Sequence, residues 1–346
     1  MVAAAIPREF VWRRLHSLMG LWLVVFLVEH LLTNSQAALW IGEDGSGFIR
    51  MVNALHNFPY LQLIEICLLG VPILIHMVWG VKYALTAKSN SRKTAGNTPS
   101  LPSLKRNRAY SWQRITSWIL LVGLICHVVK FRFLEYPQSI SQGSQSAYFV
   151  KLDMDDGLYT LAYRLNVRLY DAAALQKVEN DFQQRDEEKA LLEAASFFQE
   201  ETKDLITGIR PTAFEAQKEM ILQSAQKYRF EEKEIQILKK FSLGPRQVVA
   251  ESSSFGTATL LTVRDVFKSP IYIGLYTIFV VAACFHAFNG FWTFLITWGF
   301  VVRRAAGGAD VVLICFEAGA GGVQVLMTMG FEEDLLKKGE RPKRLL

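Results

Sequence analysis

Four long apolar runs, each with a histidine deep inside it, constrain this chain more than any other feature of its sequence. The runs cover about Leu15–Leu32, Leu61–Tyr83, Ile115–Phe133 and Ile271–Val302. A helix needs about 20 apolar residues to cross a bilayer, so each run is long enough to span a membrane. A weaker fifth run extends from Val311 to Met329. The expected fold class is therefore an all-α membrane protein, a bundle of five transmembrane helices.

The histidines inside these runs are the candidate functional residues: His30, His76, His127 and His286. An ionisable side chain in hydrocarbon is costly unless it is paired, and such residues commonly mark functional sites. Four imidazoles are the number required to hold two haem irons by two axial ligands each. The four cysteines show no C-x-x-C-H spacing, so covalent haem attachment is not expected. The pattern predicts two non-covalent haem b groups.

The basic residues predict how the chain is oriented. Arg13 and Arg14 precede the first run, and Arg303 and Arg304 follow the fourth. By the positive-inside rule, these segments and the second connection face the cytoplasm, and the N-terminus is cytoplasmic. The second connection carries several cations without an acidic residue among them: Lys88, Arg92, Lys93, Lys105, Arg106 and Arg108. The net charge of +6 fits this orientation and anionic headgroups, and no nucleic-acid partner is expected.

Helix direction sorts the histidines into two levels. The first and third helices run outward, and His30 and His127 lie 16 and 13 residues after Arg14 and Arg114. The second and fourth helices run inward, which places His76 and His286 towards the cytoplasmic side. At about 1.5 Å per residue the two levels differ by something on the order of 15 Å. Depth therefore predicts an outer and an inner histidine pair.

Short motifs around these histidines are similar to those of a known family. They are RRLHS at 13–17, FLVEHL at 26–31, PILIH at 72–76, WQRIT at 112–116 and FH at 285–286. In this order the segments resemble the dihaem cytochrome b membrane-anchor subunit of B-type succinate:quinone oxidoreductases. The resemblance covers about residues 8–135 and 262–304.

The resemblance implies a function and a set of partners. It implies that His30 and His127 bind the outer haem, and that His76 and His286 bind the inner one. A flavoprotein subunit and an iron–sulfur subunit would dock on the cytoplasmic face, and quinone, usually menaquinone, would react within the membrane. The implied location is the bacterial inner (cytoplasmic) membrane, with a multi-pass chain surrounded by lipid.

Several polar residues near the helix ends are further candidates. Glu65 is predicted to relay protons to quinone, because reduction of quinone consumes protons, although a snorkelling interfacial glutamate is the alternative. Arg14 and Arg114, with Ser17, are predicted to bind haem propionates. Ordinary positive-inside flanking explains the same arginines. Two other histidines are expected to be interfacial side chains: His16 and His56.

The third connection is too long for a simple loop and predicts an inserted domain. The expected organisation is residues 1–137 for helices 1–3, 138–261 for the insert, and 262–346 for helices 4–5 and the tail. Alternating apolar residues around Asp155-Asp156-Gly157 predict a β-hairpin, and the charged stretch 171–240 predicts helices. The insert is thus expected to be a small α+β extramembrane domain on the external side of the membrane.

Three alternative functions remain open. The first is a cytochrome b subunit of another quinone-linked oxidoreductase. The second is a haem-free transporter or channel whose histidines bind metal ions, and the third is a purely structural anchor. Co-purifying subunits, a haem spectrum and histidine variants distinguish these alternatives.

Overall fold

A computed structural model describes residues 6–38, 43–87, 105–185, 189–190, 193, 213–306, 309–314 and 325–326. The chain divides into two compact units. Unit 1 comprises Met1–Val28, Gln62–Gly123 and Thr277–Leu346, and unit 2 comprises Glu29–Leu61 and Leu124–Tyr276. The predicted insert, residues 138–261, lies wholly within unit 2.

Four helices are long and apolar enough to cross a membrane, which confirms the first four predicted spans. Each starts or ends within a few residues of the predicted run. Two of them contain a turn of π-helix, at Ile66–Gly70 and at Val129–Leu134. The spans are α1 (Arg8–Ser35), α3 (Leu61–Glu65) continued by α4 (Val71–Thr86), α5 (Lys105–Val128) and α10 (Pro270–Thr297).

The π turn of the second span is followed by Pro72, which explains one contact in unit 1. Proline has no N–H to donate, so the carbonyl oxygen one turn earlier, that of Leu68, loses its usual α-helical donor. Trp22 Nε1 on α1 donates to this oxygen at 2.5 Å. In hydrocarbon an unsatisfied carbonyl oxygen is costly. The indole therefore supplies the missing hydrogen-bond donor and also joins the two helices.

The remainder of unit 2 is a four-stranded antiparallel sheet with helices on both faces. The strand order is β1-β2-β4-β3. The short helix α2 (Ser46–His56) connects the first two spans and contacts the helix Phe255–Val266. The other elements are β1 (Gln138–Gln142), β2 (Gln145–Asp153), α6 (Asp156–Arg164), β3 (Arg168–Tyr170), α7 (Ala172–Gln183), α8 (Ala213–Leu238), β4 (Gln247–Ser252) and α9 (Phe255–Val266).

The two faces of this sheet bury separate cores because side chains alternate along each strand. Val248 and Ala250 of β4 face α6 and α9, where Leu158 and Leu261 are buried. Val249, between them, faces α7 and α8. The expected α+β character of the insert agrees with these elements, and its extramembrane position stays a prediction.

The predicted β-hairpin around Asp155-Asp156-Gly157 is wrong. Asp155 caps a helix instead, since its carboxylate accepts from Leu158 N at 2.9 Å. Within α6 the buried residues are Leu158, Leu161 and Ala162, which is helical spacing. The apparent alternation arose because exposed tyrosines occupy the other face of the same helix. The hairpin of this region lies earlier, where β1 pairs with β2.

The predicted five-helix count is not confirmed. The described residues of the fifth run form strands, Ala309–Ile314 (β6) and Val325–Leu326 (β7). Strand β6 pairs with β5 (Val301–Ala306). Adjacent β-branched valines favour extended backbone, and Asp310 lowers the apolar character of the run. The other residues of this run lie outside the described part of the chain.

Candidate functional site

Two of the spans bring a pair of histidines together in unit 1. The rings of His76 on α4 and His286 on α10 have centroids 6.3 Å apart and lie at 80° to each other. This is the inner pair expected from helix direction.

Each ring of the inner pair is oriented through its Nδ1 atom. His76 Nδ1 lies 3.2 Å from the carbonyl oxygen of His16, and His286 Nδ1 lies 3.4 Å from Thr116 Oγ1. The backbone of α10 is fixed beside this site, because Gln113 Nε2 donates to the His286 carbonyl at 3.2 Å. Both rings therefore have their Nδ1 edge against an oxygen on a neighbouring helix.

A glycine allows the inner pair to fit between the helices. A Cβ atom on Gly20 of α1 would lie 2.9 Å from Cε1 and 3.2 Å from Nδ1 of His76. Ordinary carbon–carbon contacts are about 3.5–4.0 Å. Only a residue without a side chain lets α1 approach the His76 ring this closely.

A second pair lies in unit 2. The rings of His30 on α1 and His127 on α5 have centroids 5.9 Å apart and lie at 88° to each other. His127 Nδ1 is 3.2 Å from the hydroxyl oxygen of Tyr276, and His30 Nδ1 is 3.4 Å from the side-chain amide of Asn34. This is the predicted outer pair. That either pair binds haem stays a prediction.

The donor set fits a haem iron in both places. Imidazole nitrogens bind first-row metals at about 2 Å, which places the centroids of two opposed axial rings about 6 Å apart. Ligating histidines commonly use the other nitrogen to bond a second group, and three of the four Nδ1 atoms face an oxygen. Among the described residues, no group of three or more His, Cys, Asp or Glu side chains is arranged to hold a metal. A porphyrin supplies the in-plane ligands itself and needs only the axial pair.

Three buried polar atoms beside the inner pair also fit a haem. His16 Nε2, Trp79 Nε1 and Tyr83 Oη are buried without a hydrogen-bond partner in the part of the chain that the structure describes. His16 stacks on His76 with ring centroids 4.1 Å apart, and the expectation that His16 lies at the membrane interface stays a prediction. An indole N–H only donates, and donors buried together require an oxygen acceptor. A haem propionate has the appropriate chemistry.

The other predicted site residues are not gathered at either pair by the described contacts. The Arg14 guanidinium lies over the rings of Phe10 and Trp298, at 4.4 and 5.2 Å. Ser17 lies on α1 and Arg114 on α5. Glu65 ends α3 where the π turn begins. Their roles at propionates and quinone stay predictions.

Sequence reasoning missed several residues that surround the histidines: Thr116, Gln113, Tyr276, Trp79 and Tyr83. A usable signal existed, because each is a polar or hydrogen-bonding side chain within an apolar span. Trp79 and Tyr83 are spaced three and seven residues after His76, which places them on the same helix face. Thr116 and Tyr276 each lie on a different helix from the histidine they contact, so sequence spacing does not link them to it.

Unit 2 also contains a polar cavity of about 820 Å³ outside the spans. Arg168 bonds both Glu234, at 3.1 Å, and Glu251, and Tyr170 donates to Glu251 at 2.8 Å. Burial, followed by the hydrogen bond and charge of Glu251, raises the pKa of Glu234 well above its ordinary value. Arg168 therefore supplies hydrogen-bond donors to both carboxyl groups of this cavity wall.

A known protein is similar to part of this chain. Over 126 residues the chain is 34% identical to the succinate dehydrogenase cytochrome b558 subunit of Bacillus subtilis (strain 168), which covers 36% of this chain. The chain spans about half the length of this relative, 56% of it. The similarity confirms the relationship to succinate dehydrogenase cytochrome b predicted from the motifs. No family model matches the chain, and no solved structure matches it.

Proposed function

We propose that this integral membrane protein is a dihaem cytochrome b anchor of a succinate:quinone oxidoreductase. The observation that carries the proposal is the occurrence of two histidine pairs with ring separations of 5.9 and 6.3 Å, both suited to axial ligation. The relationship to a succinate dehydrogenase cytochrome b subunit supports the same function.

Bound haem iron would supply one-electron redox chemistry, and the residues of this chain would bind and orient it. His76 and His286 would hold one iron through Nε2, and His30 and His127 the other. With the metal on Nε2, Nδ1 of His76, His286 and His127 would carry the ring proton and donate it to the oxygen it faces. That bond would fix these three rings and raise the basicity of the ligand nitrogen. The surrounding apolar helices exclude water and tune the potential.

The partners follow from the location of such an anchor. A flavoprotein subunit and an iron–sulfur subunit would bind its cytoplasmic face, in the bacterial inner membrane, with the N-terminus on that side. Quinone, usually menaquinone in such complexes, would react within the membrane. We propose Glu65 as the group that passes protons to it, since a carboxylate at a membrane boundary can exchange protons with water. Arg14, Arg114 and Ser17 remain candidates for propionate binding.

The experiment that tests this function is a haem count on the purified chain. A pyridine haemochrome assay should give two haem b per chain for the wild type. The variants His286→Ala and His127→Ala should each retain one haem, because each removes one axial ligand from a different pair. The matched control is His56→Ala, since His56 stacks on Phe255 at 3.8 Å and lies in neither pair. This control should retain both haems.

The alternatives give different results. A haem-free transporter shows no b-type absorption band in a reduced-minus-oxidised spectrum. A structural anchor retains quinone reduction in all histidine variants. A cytochrome b of another oxidoreductase contains two haems but co-purifies with subunits that do not oxidise succinate. One haem per wild-type chain would contradict the dihaem proposal.

A further inference from the structure

Helix α6 of the insert has an apolar buried face and an aromatic exposed face. Leu158, Leu161 and Ala162 pack into the sheet, whereas Tyr159 is 52% exposed and Tyr163 is 88% exposed. The two tyrosines are four residues apart, so they lie side by side on the surface of the helix. Two adjacent exposed tyrosines are unusual for a surface that faces only water, because tyrosine has a large apolar ring.

Both ends of α6 are tied to segments next to the transmembrane spans. At its N-terminus, the Asp155 carboxylate pairs with Arg264 at 2.6 Å and Lys268 at 2.5 Å, and Lys268 lies two residues before Pro270, where α10 begins. At its C-terminus, Arg164 pairs with Asp44, which lies nine residues after the end of α1 at 35. A helix anchored in this way at both ends lies along the membrane boundary rather than pointing away from it.

Helix α9, which shares this side of the sheet, is held in the same manner. At its N-terminus, Phe255 stacks on His56 at 3.8 Å and contacts Tyr136 at 5.4 Å. His56 lies five residues before the second span, and Tyr136 lies two residues after the third. At its C-terminus, α9 ends four residues before Pro270. The layer that contains α6 and α9 is therefore the membrane-proximal layer of the insert, and α7 and α8 lie on the far face of the sheet.

We propose that α6 lies on the membrane surface and presents Tyr159 and Tyr163 to the lipid headgroups. The side of α6 opposite its buried face points away from the sheet, towards the boundary to which its ends are tied. Tyrosine is enriched at that depth because its ring is apolar and its hydroxyl is wet. The inference requires the four helices to span a membrane and is independent of haem.

Depth-dependent quenching tests this placement on the full chain. Tyr163→Cys, in a background whose four native cysteines are alanine, is labelled with a bimane fluorophore. It is reconstituted into phosphatidylcholine–phosphatidylglycerol vesicles that contain lipid spin-labelled near the headgroup. The matched control is Gln176→Cys on α7, an exposed position on the far face of the sheet. We expect at least about twofold stronger quenching at position 163 than at position 176.

Equal quenching at the two positions would overturn the proposal. A second measurement needs no substitution, so it remains decisive even if the cysteine background does not fold. Hydroxyl-radical footprinting of the unmodified chain in lipid nanodiscs should leave Tyr163 protected despite its exposure in the structure. Met220 on α8, which is also exposed, should be oxidised readily. Rapid oxidation of Tyr163 in nanodiscs would contradict membrane contact.

Discussion

The substitution Gly20→Ala should weaken the binding of the haem proposed at the inner pair and leave the binding of the haem proposed at the outer pair unchanged. The added Cβ would lie 2.9 Å from His76 Cε1, which is about 0.6–1 Å inside an ordinary contact. The His76 ring is also held against α1 by the His16 carbonyl and the His16 ring. The added methyl group would therefore displace the His76 ring from its present position beside His286.

The size of this effect follows from the cost of overpacking. One extra methyl group in a well-packed site costs about 1–3 kcal/mol, which corresponds to about a 5- to 150-fold loss of haem affinity if the cost falls on the ligand ring. Haem titration of the purified chain, followed by the reduced-minus-oxidised spectrum, measures this loss. The control is Gly274→Ala in α10, where a Cβ atom meets no atom within 4 Å. A G20A variant with two haems of unchanged affinity and potential would refute the assignment of His76 as a ligand.

Three further predictions concern other contacts in unit 2. Tyr276→Phe removes the oxygen that His127 Nδ1 faces, at a cost of about 1 kcal/mol, and should raise the potential of the haem proposed at the outer pair by about 40 mV in a redox titration. Asn53→Ala removes the acceptor of the buried Gly256 N–H, which Asn53 binds at 2.7 Å, and should lower the Tm by a few degrees in a thermal melt. The pKa of Glu234 is raised in the folded protein. Its contribution to the free energy of unfolding is therefore fully present below its ordinary pKa of 4.5 and is lost as the pH rises through the raised pKa. Glu234→Gln should therefore flatten the decline of Tm between pH 4.5 and about 8, and an unchanged decline would contradict this assignment.

The features that can best be predicted from the sequence are those that extend over many residues. Four spans were predicted because each contains about 20 apolar residues, and the pairing of His30 with His127 followed from helix direction alone. Direction and rise per residue are fixed by backbone geometry, so depth can be counted along a sequence. The same counting cannot show that His16 stacks on His76, because this contact depends on the rotation of two helices about their axes.

The errors arose where two periods give similar patterns over a short stretch. Tyr159, Leu161 and Tyr163 alternate in position as a strand would, yet Leu158 and Leu161 are the buried residues of a helix. The Asp155 cap decided the outcome, because its bond to Leu158 N favours the first helical turn. Contacts such as Tyr276 to His127 join residues 149 positions apart and have no signature in either local sequence.

The register of the insert has a consequence for how such a protein can be assembled and dissected. Gln138 pairs with Phe149, and Phe149 pairs in turn with Glu251, so the first and last strands flank one shared strand. At about 4.8 Å per strand spacing, Gln138 and Glu251 lie about 10 Å apart. The chain does not return to the spans at Glu251, because α9 follows and buries Leu261 in the core beside this sheet before α10 begins. A deletion that leaves a foldable remainder therefore has to remove α9 together with the strands.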